Sequence, residues 1–140
     1  MIFLDTSVLI AVAQVGHERH AASLEVWNCC SRGKSAVSVH TLAELYNVLT
    51  GMPPALRISP HDAVLAIETF LRRLTPIALT ADEYVATMRR MAGFGLPGGI
   101  VLDALHLECA RKAGARTIYT WNARHFQRAA PDLAERIVTP

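Results

Sequence analysis

Short, largely apolar runs alternate along this chain with segments of helical spacing, and that alternation limits the folds open to it. Ile2-Phe3-Leu4 reads as a buried strand, as do Ala36–Val39, Ile77–Leu79 and Arg116–Thr120, with Ile137-Val138 as an edge strand near the tail. Val8–Ala13 starts a helix, and His20–Arg32 carries Leu24, Trp27 and Cys30 at helical spacing before Gly33. Thr41–Thr50 places Leu42, Leu45, Tyr46 and Leu49 on one side. Ser59-Pro60 opens a helix running to about Leu74, and another starts at Thr80 or Asp82 and closes near Gly93. A strongly apolar helix covers Ile100–Ala113, with Gly114 as its stop. Apolar strands alternating with helices predict an α/β fold, a short parallel sheet flanked by helices on both faces. In such sheets the working site lies beyond the carboxyl ends of the strands.

A length of 140 residues suits one domain spanning 1–140, and 51% hydrophobic against 19% charged residues argues against disorder. The net charge of +2 is too small to mark a nucleic-acid binder, although it leaves room for local basic patches. Three cysteines, two of them adjacent, form no disulfide framework and no zinc spacing; small buried residues in a reducing compartment are expected. No stretch reaches the ~18 apolar residues of a membrane span. The N-terminus lacks a basic leader region, and Asp5 interrupts its apolar run, so a cytoplasmic protein is expected.

Four polar residues do not fit their surroundings. Asp5 follows the first strand directly and sits at its carboxyl end, as a helix N-cap or as a site residue. Glu44 lies in the first turn of the Thr41 helix, where Thr41-Leu42-Ala43-Glu44 matches a capping box. Asp103 lies in the first turn of a helix with a largely apolar face, and a helix-dipole partner or a functional carboxylate both account for it. Asn122 follows the strand Arg116–Thr120, as a turn residue or a site residue. All four fall on one predicted edge of one sheet. Three close carboxylates repel one another unless protons or cations intervene, and oxygen donors of this kind suit a hard cation such as Mg²⁺ or Mn²⁺.

With these residues in view, the chain resembles a PIN domain, and more narrowly a VapC-type toxin ribonuclease of a bacterial toxin–antitoxin pair. The resemblance rests on Ile2–Ser7, Thr41–Leu45, Asp103–His106 and Thr120–Phe126 in that order. It implies Mg²⁺- or Mn²⁺-dependent cleavage of RNA, a homodimer, and a cognate antitoxin whose C-terminal segment lies in the active-site groove. It also implies that Asp5, Glu44 and Asp103 are the core acids and metal-holding residues. Asn122 stands where many relatives carry a fourth acid, and His125 where many carry another. A PIN-fold RNA- or protein-binding module with weak catalysis is the alternative, and the neutral Asn122 keeps it open. A receiver-like domain lacks its phosphorylatable Asp and its late Lys here.

On this reading Thr6 holds a carboxylate in place by a hydrogen bond. An acidic pocket needs a basic rim to hold RNA. Arg124 is the favoured candidate, with Arg128, Arg111 and Lys112 beside it and Arg72-Arg73 and Arg89-Arg90 further off. His125 is a substrate-side candidate. Leu65, Phe70, Leu71, Leu74, Tyr84, Val85 and Met88 supply apolar surface divided between core and partner contacts.

Overall fold

The computed structural model describes all 140 residues. Five parallel strands, β1 (Ile2–Leu4), β2 (Ser35–Ser38), β3 (Thr75–Ile77), β4 (Thr117–Tyr119) and β5 (Ile137–Val138), lie in the order β3-β2-β1-β4-β5. Seven helices connect them: α1 (Thr6–Ala13), α2 (His20–Asn28), α3 (Val39–Gly51), α4 (Pro60–Leu71), α5 (Ala81–Gly93), α6 (Ile100–Lys112) and α7 (Ala123–Ala129). A 3₁₀ turn over Pro131–Arg136 leads into β5.

Side chains alternate across each strand, so neighbouring residues enter different cores. Leu4 and Val37 pack with Val8, Trp27, Leu45 and Phe70 from α1–α4. Phe3, Ala36 and Ile118 pack with Met91, Leu107 and Phe126 from α5–α7 on the other face. The sheet is the middle of three layers, as expected, and burial on both faces explains the consecutive apolar pairs Phe3-Leu4 and Ala36-Val37 in its central strands. Pro76 sits within β3, which has β2 as its sole neighbour. An edge position tolerates the missing N–H that a central strand would not.

Several boundaries move. β2 ends at Ser38, which caps α3 directly by accepting from the His40 N–H at 3.1 Å. The helix therefore begins at Val39, and the Thr41–Glu44 capping box does not form; Glu44 is left in the second turn with its side chain released from the helix end. Thr80 and Glu83 do form a capping box at α5. At the end of α6, Gly114 adopts φ +64° and Ala115 donates to the Ala110 carbonyl at 2.9 Å, so the glycine stops the helix through a left-handed turn. α7 has no side-chain cap and only seven residues, too few to show a period in the sequence. Cys30 and Cys109 are buried and Cys29 is exposed; all three are free thiols. No helix is long and apolar enough to cross a membrane.

The chain runs from β1 outward to β2 and β3, then returns past β1 to β4. The strand order thus reverses beside β1, and a crevice opens between the carboxyl ends of β1 and β4.

Candidate active site

Asp5 closes that crevice. It is the N-cap of α1 and also the link between two strands. Its Oδ2 accepts from Ser7 Oγ at 2.6 Å, from the Ser7 N–H at 3.3 Å and from Thr120 Oγ1 at 2.8 Å. The capping and site readings of Asp5 are therefore compatible, because one oxygen serves the backbone and Oδ1 accepts no hydrogen bond. Ser7 Oγ in turn accepts from the Trp121 N–H at 3.0 Å, and Thr120 Oγ1 accepts from the Asn122 N–H at 2.9 Å. Asp5 is 4% exposed, so its orientation is set by these partners and not by solvent.

One cavity of about 410 Å³ is lined by Asp5, Thr6, Glu44, Asp103, His106 and Asn122, among others. The fold thus brings together all four residues expected from the sequence, from β1–α1, α3, α6 and the β4–α7 turn. No three carboxylate, histidine or cysteine side chains are grouped tightly enough to hold an ion as they stand.

Glu44 lies in a closed ring of hydrogen bonds. Its Oε2 accepts from Thr6 Oγ1 and from His106 Nε2, the latter at 3.1 Å. Thr6 Oγ1 lies 3.2 Å from Thr41 Oγ1, which lies 3.4 Å from His106 Nδ1. Thr6 has one proton and gives it to Glu44, so Thr41 donates to Thr6 and is free to accept from His106 Nδ1–H. This assignment satisfies every group when the imidazole carries both protons. Glu44 Oε1 faces His40 Nε2 at 3.5 Å. Burial raises the Glu44 carboxyl, but the His106 hydrogen bond and charge, with Thr6 and His40, outweigh it and hold the group below its usual range. Burial likewise opposes protonation of His106, yet the bond to Glu44 and the charges of Asp5, Glu44 and Asp103 push it up.

Asp103 has no such clamp. Burial, and then the charge of Asp5, push its carboxyl up to about 6, against weaker opposing effects of His125 and His106. The nearest of the two imidazoles is His125, whose Nδ1 is 4.0 Å from Asp103 Oδ2. These oxygens fit a hard divalent cation on donor chemistry: Asp5 keeps one carboxylate oxygen uncommitted, and Asp103 accepts no hydrogen bond and has only the His125 imidazole, 4.0 Å away, as a close partner for its charge.

The basic rim differs from expectation. Arg111 is bound to Asp132 at 2.6 Å, Lys112 to Glu83 at 2.8 Å and Arg90 to Glu108 at 2.9 Å, so none of these three is free for RNA. Arg73 donates to the carbonyls of Cys30 and Asn28. Arg124 is exposed on α7 but lines neither the acidic cavity nor a cleft beside it, whereas Arg128 lines one. Phe70 and Leu74 are core residues, while Leu65, Val85 and Met88 stay exposed.

Sequence reasoning missed the two histidines around Glu44. His106 follows Asp103 by three residues and His40 precedes Glu44 by four, spacings that place each on the same helical face as its acid. That signal was present. Arg19, stacked over the Trp121 ring with its guanidinium 4.8 Å from the centroid, left no trace in local sequence.

The chain matches the PIN domain over residues 2–131. It is 36% identical over 121 residues to ribonuclease VapC40 of Mycobacterium tuberculosis, an alignment covering 84% of each protein. It is 38% identical over 103 residues to ribonuclease VapC27 of the same species, covering 73% of this chain and 71% of the relative. In fold it is similar to the crystal structure of M. tuberculosis VapC20, described as a sarcin–ricin loop cleaving toxin, with a TM-score of 0.72 and 22% identity over 89% of this chain and 92% of that one. It is similar also to a chain of VapBC2 from Rickettsia felis, solved bound to a promoter DNA fragment, with a TM-score of 0.67 and 22% identity over 100% and 99% of the two chains.

Proposed function

The chain belongs to the PIN-domain family, and on that premise we propose that it is a metal-dependent endoribonuclease, the toxin of a toxin–antitoxin pair, acting as a single domain. The observation that carries the reading is the single cavity at the strand-order reversal into which Asp5, Glu44, Asp103 and Asn122 all open. The ribonuclease names of the sequence relatives support it. A homodimer, inhibition by a cognate antitoxin seated over the cavity, and a cytoplasmic location complete the proposal.

Asp5 and Asp103 would hold Mg²⁺ or Mn²⁺. A divalent cation in such a site lowers the pKa of water and offsets charge growing on the phosphorane. Glu44 orients the attacking water by accepting a hydrogen bond from it. Its Oε2 is committed to Thr6 and His106, which leaves Oε1 for this role. Asn122 offers a carbonyl oxygen without adding charge. Thr6 works on Glu44 and not on the substrate.

His106 is then a positioning residue. His106→Ala should lower kcat about 10- to 100-fold, since misplacing a catalytic group by about 1 Å can cost 10²-fold. KM for RNA should stay within about twofold, and His106→Gln, which can return a donor to Glu44, should recover much of the loss. An equal fall in kcat for both variants, tracking loss of folded protein, would reduce His106 to a packing role.

The proposal is tested by incubating the purified protein with single-stranded RNA and Mg²⁺ or Mn²⁺, with chelator controls, and by inducing it in growing cells. Metal-dependent cuts and growth arrest are expected. RNA that is bound but uncut under either cation would point to a binding module instead.

A further inference from the structure

A second cleft of about 270 Å³ lies beside the first, lined by Gly99, Ile100, Asp103, His125 and Arg128. Asp103 lines both, so one side chain divides an acidic cavity from a cleft bearing a guanidinium and an imidazole. His125 and Arg128 are three apart on α7 and share a face. His125 turns to Asp103 at 4.0 Å, while Arg128 enters no ion pair. Arg111, Lys112 and Arg90, by contrast, are held by carboxylates.

We propose that this cleft is a subsite for the RNA phosphate next to the scissile one, with Arg128 as its principal contact and His125 as its second. The proposal rests on the ribonuclease reading and deepens it. A polyanion entering a cavity of carboxylates is repelled there and must be held from the side. Asp103 forms a wall of both cavities, so a strand laid across it can seat the scissile phosphate in the first and a neighbouring phosphate in the second. Arg is suited to the task because its planar fork meets phosphate oxygens in pairs. A phosphate contact positions the strand without reading its bases, so the subsite serves all sequences alike.

The test measures binding of a single-stranded RNA oligonucleotide by fluorescence anisotropy across a salt series. Uncleaving Asp5→Asn protein is used, and wild type in chelator as a second background. Arg128→Ala should weaken binding about 5- to 20-fold, equally for unrelated sequences. It should also lower the slope of log affinity against log salt by about 0.7, the value for one phosphate contact on a single strand. Arg128→Lys should keep the slope and lose part of the affinity. Lys34→Ala, at the opposite end of the sheet, should leave both unchanged. In the wild-type background, Arg128→Ala should raise KM by a similar factor with kcat held. Unchanged affinity and slope in Arg128→Ala overturn the subsite and leave the cleft to a protein partner. If wild type cuts RNA and Arg128→Ala is silent, the subsite fails while the nuclease stands. If RNA binds with an Arg128-dependent slope but is never cut, the nuclease reading fails, and with it the scissile neighbour, while the cleft stands as an RNA-phosphate site.

Discussion

Asp5→Asn protein should fold normally and cleave RNA at least about 10³-fold more slowly than wild type, a loss of the size seen when one preorganised electrostatic group is removed from a catalytic site. The two halves of this expectation come from the two oxygens of one side chain. Oδ2 accepts from Ser7 and Thr120 and fastens the start of α1 to the end of β4. Asn can present its carbonyl oxygen to the same donors, so the cap and the strand link survive. Its amide then replaces Oδ1, and a donor stands where an acceptor for a cation was. Asp5→Ala separates the functions differently. It leaves the fully buried Thr120 hydroxyl and the Ser7 N–H without their acceptor, at about 1–3 kcal/mol for the former and about 1 kcal/mol for the lost cap. Thermal unfolding should therefore place Asp5→Asn within a few degrees of wild type and Asp5→Ala several degrees below. Cleavage by Asp5→Asn at a rate near wild type would remove Asp5 from the chemistry and return it to helix capping alone.

The contrast between Asp5 and Glu44 shows which parts of the site local sequence could carry. Asp5 is legible because it interrupts an apolar run at a strand end, and strand ends are where parallel sheets place their sites. Asp103 is legible for a similar reason, as an acid in the first turn of a helix that opens Ile100-Val101-Leu102 and buries half of its other positions. Glu44 is legible as a position, while its capping alternative fails. The capping-box pattern at Thr41 is genuine, but Ser38 lies three residues upstream and starts the helix earlier, because β2 runs into α3 with no loop. Thr41 thereby becomes a buried link between Thr6 and His106. That link joins residues 35 and 65 positions apart, and no local window contains it. The basic rim is only partly legible for the same kind of reason. Charge runs on α5 and α6 look free in sequence, yet the two helices pack together and pair Arg90 with Glu108 and Lys112 with Glu83.

The acids also make the metal-free protein sensitive to pH in a direction opposite to that of most carboxylates, and Asp103→Asn should remove much of the effect. Asp103 titrates at about 6 in the fold against 3.8 when exposed, so the folded state binds more protons than the unfolded state between those values. Stability must then fall as pH rises through that window. His106 acts in the same sense. Its pKa is raised in the fold, so its contribution is complete below its unfolded value and is lost as pH rises through its folded one. Glu44 acts oppositely. Its lowered pKa adds stability that is present at neutral pH and disappears on acidification. In chelator, the unfolding temperature of wild type should therefore peak in mildly acidic solution and decline toward pH 8. Asp103→Asn cannot ionise. At pH 8 it should gain on the order of 1–3 kcal/mol, or about 3 °C per kcal/mol, over wild type, and near pH 4 it should gain little. Its cleavage should be lost, the usual opposition between stability and a working charge cluster. Saturating Mg²⁺ or Mn²⁺ should erase much of the wild-type deficit at pH 8, because a cation favours the same carboxylates that are otherwise crowded, and should leave Asp103→Asn nearly unmoved. An Asp103→Asn protein less stable than wild type at pH 8 in chelator would mean that Asp103 is a structural acid whose charge the fold already accommodates.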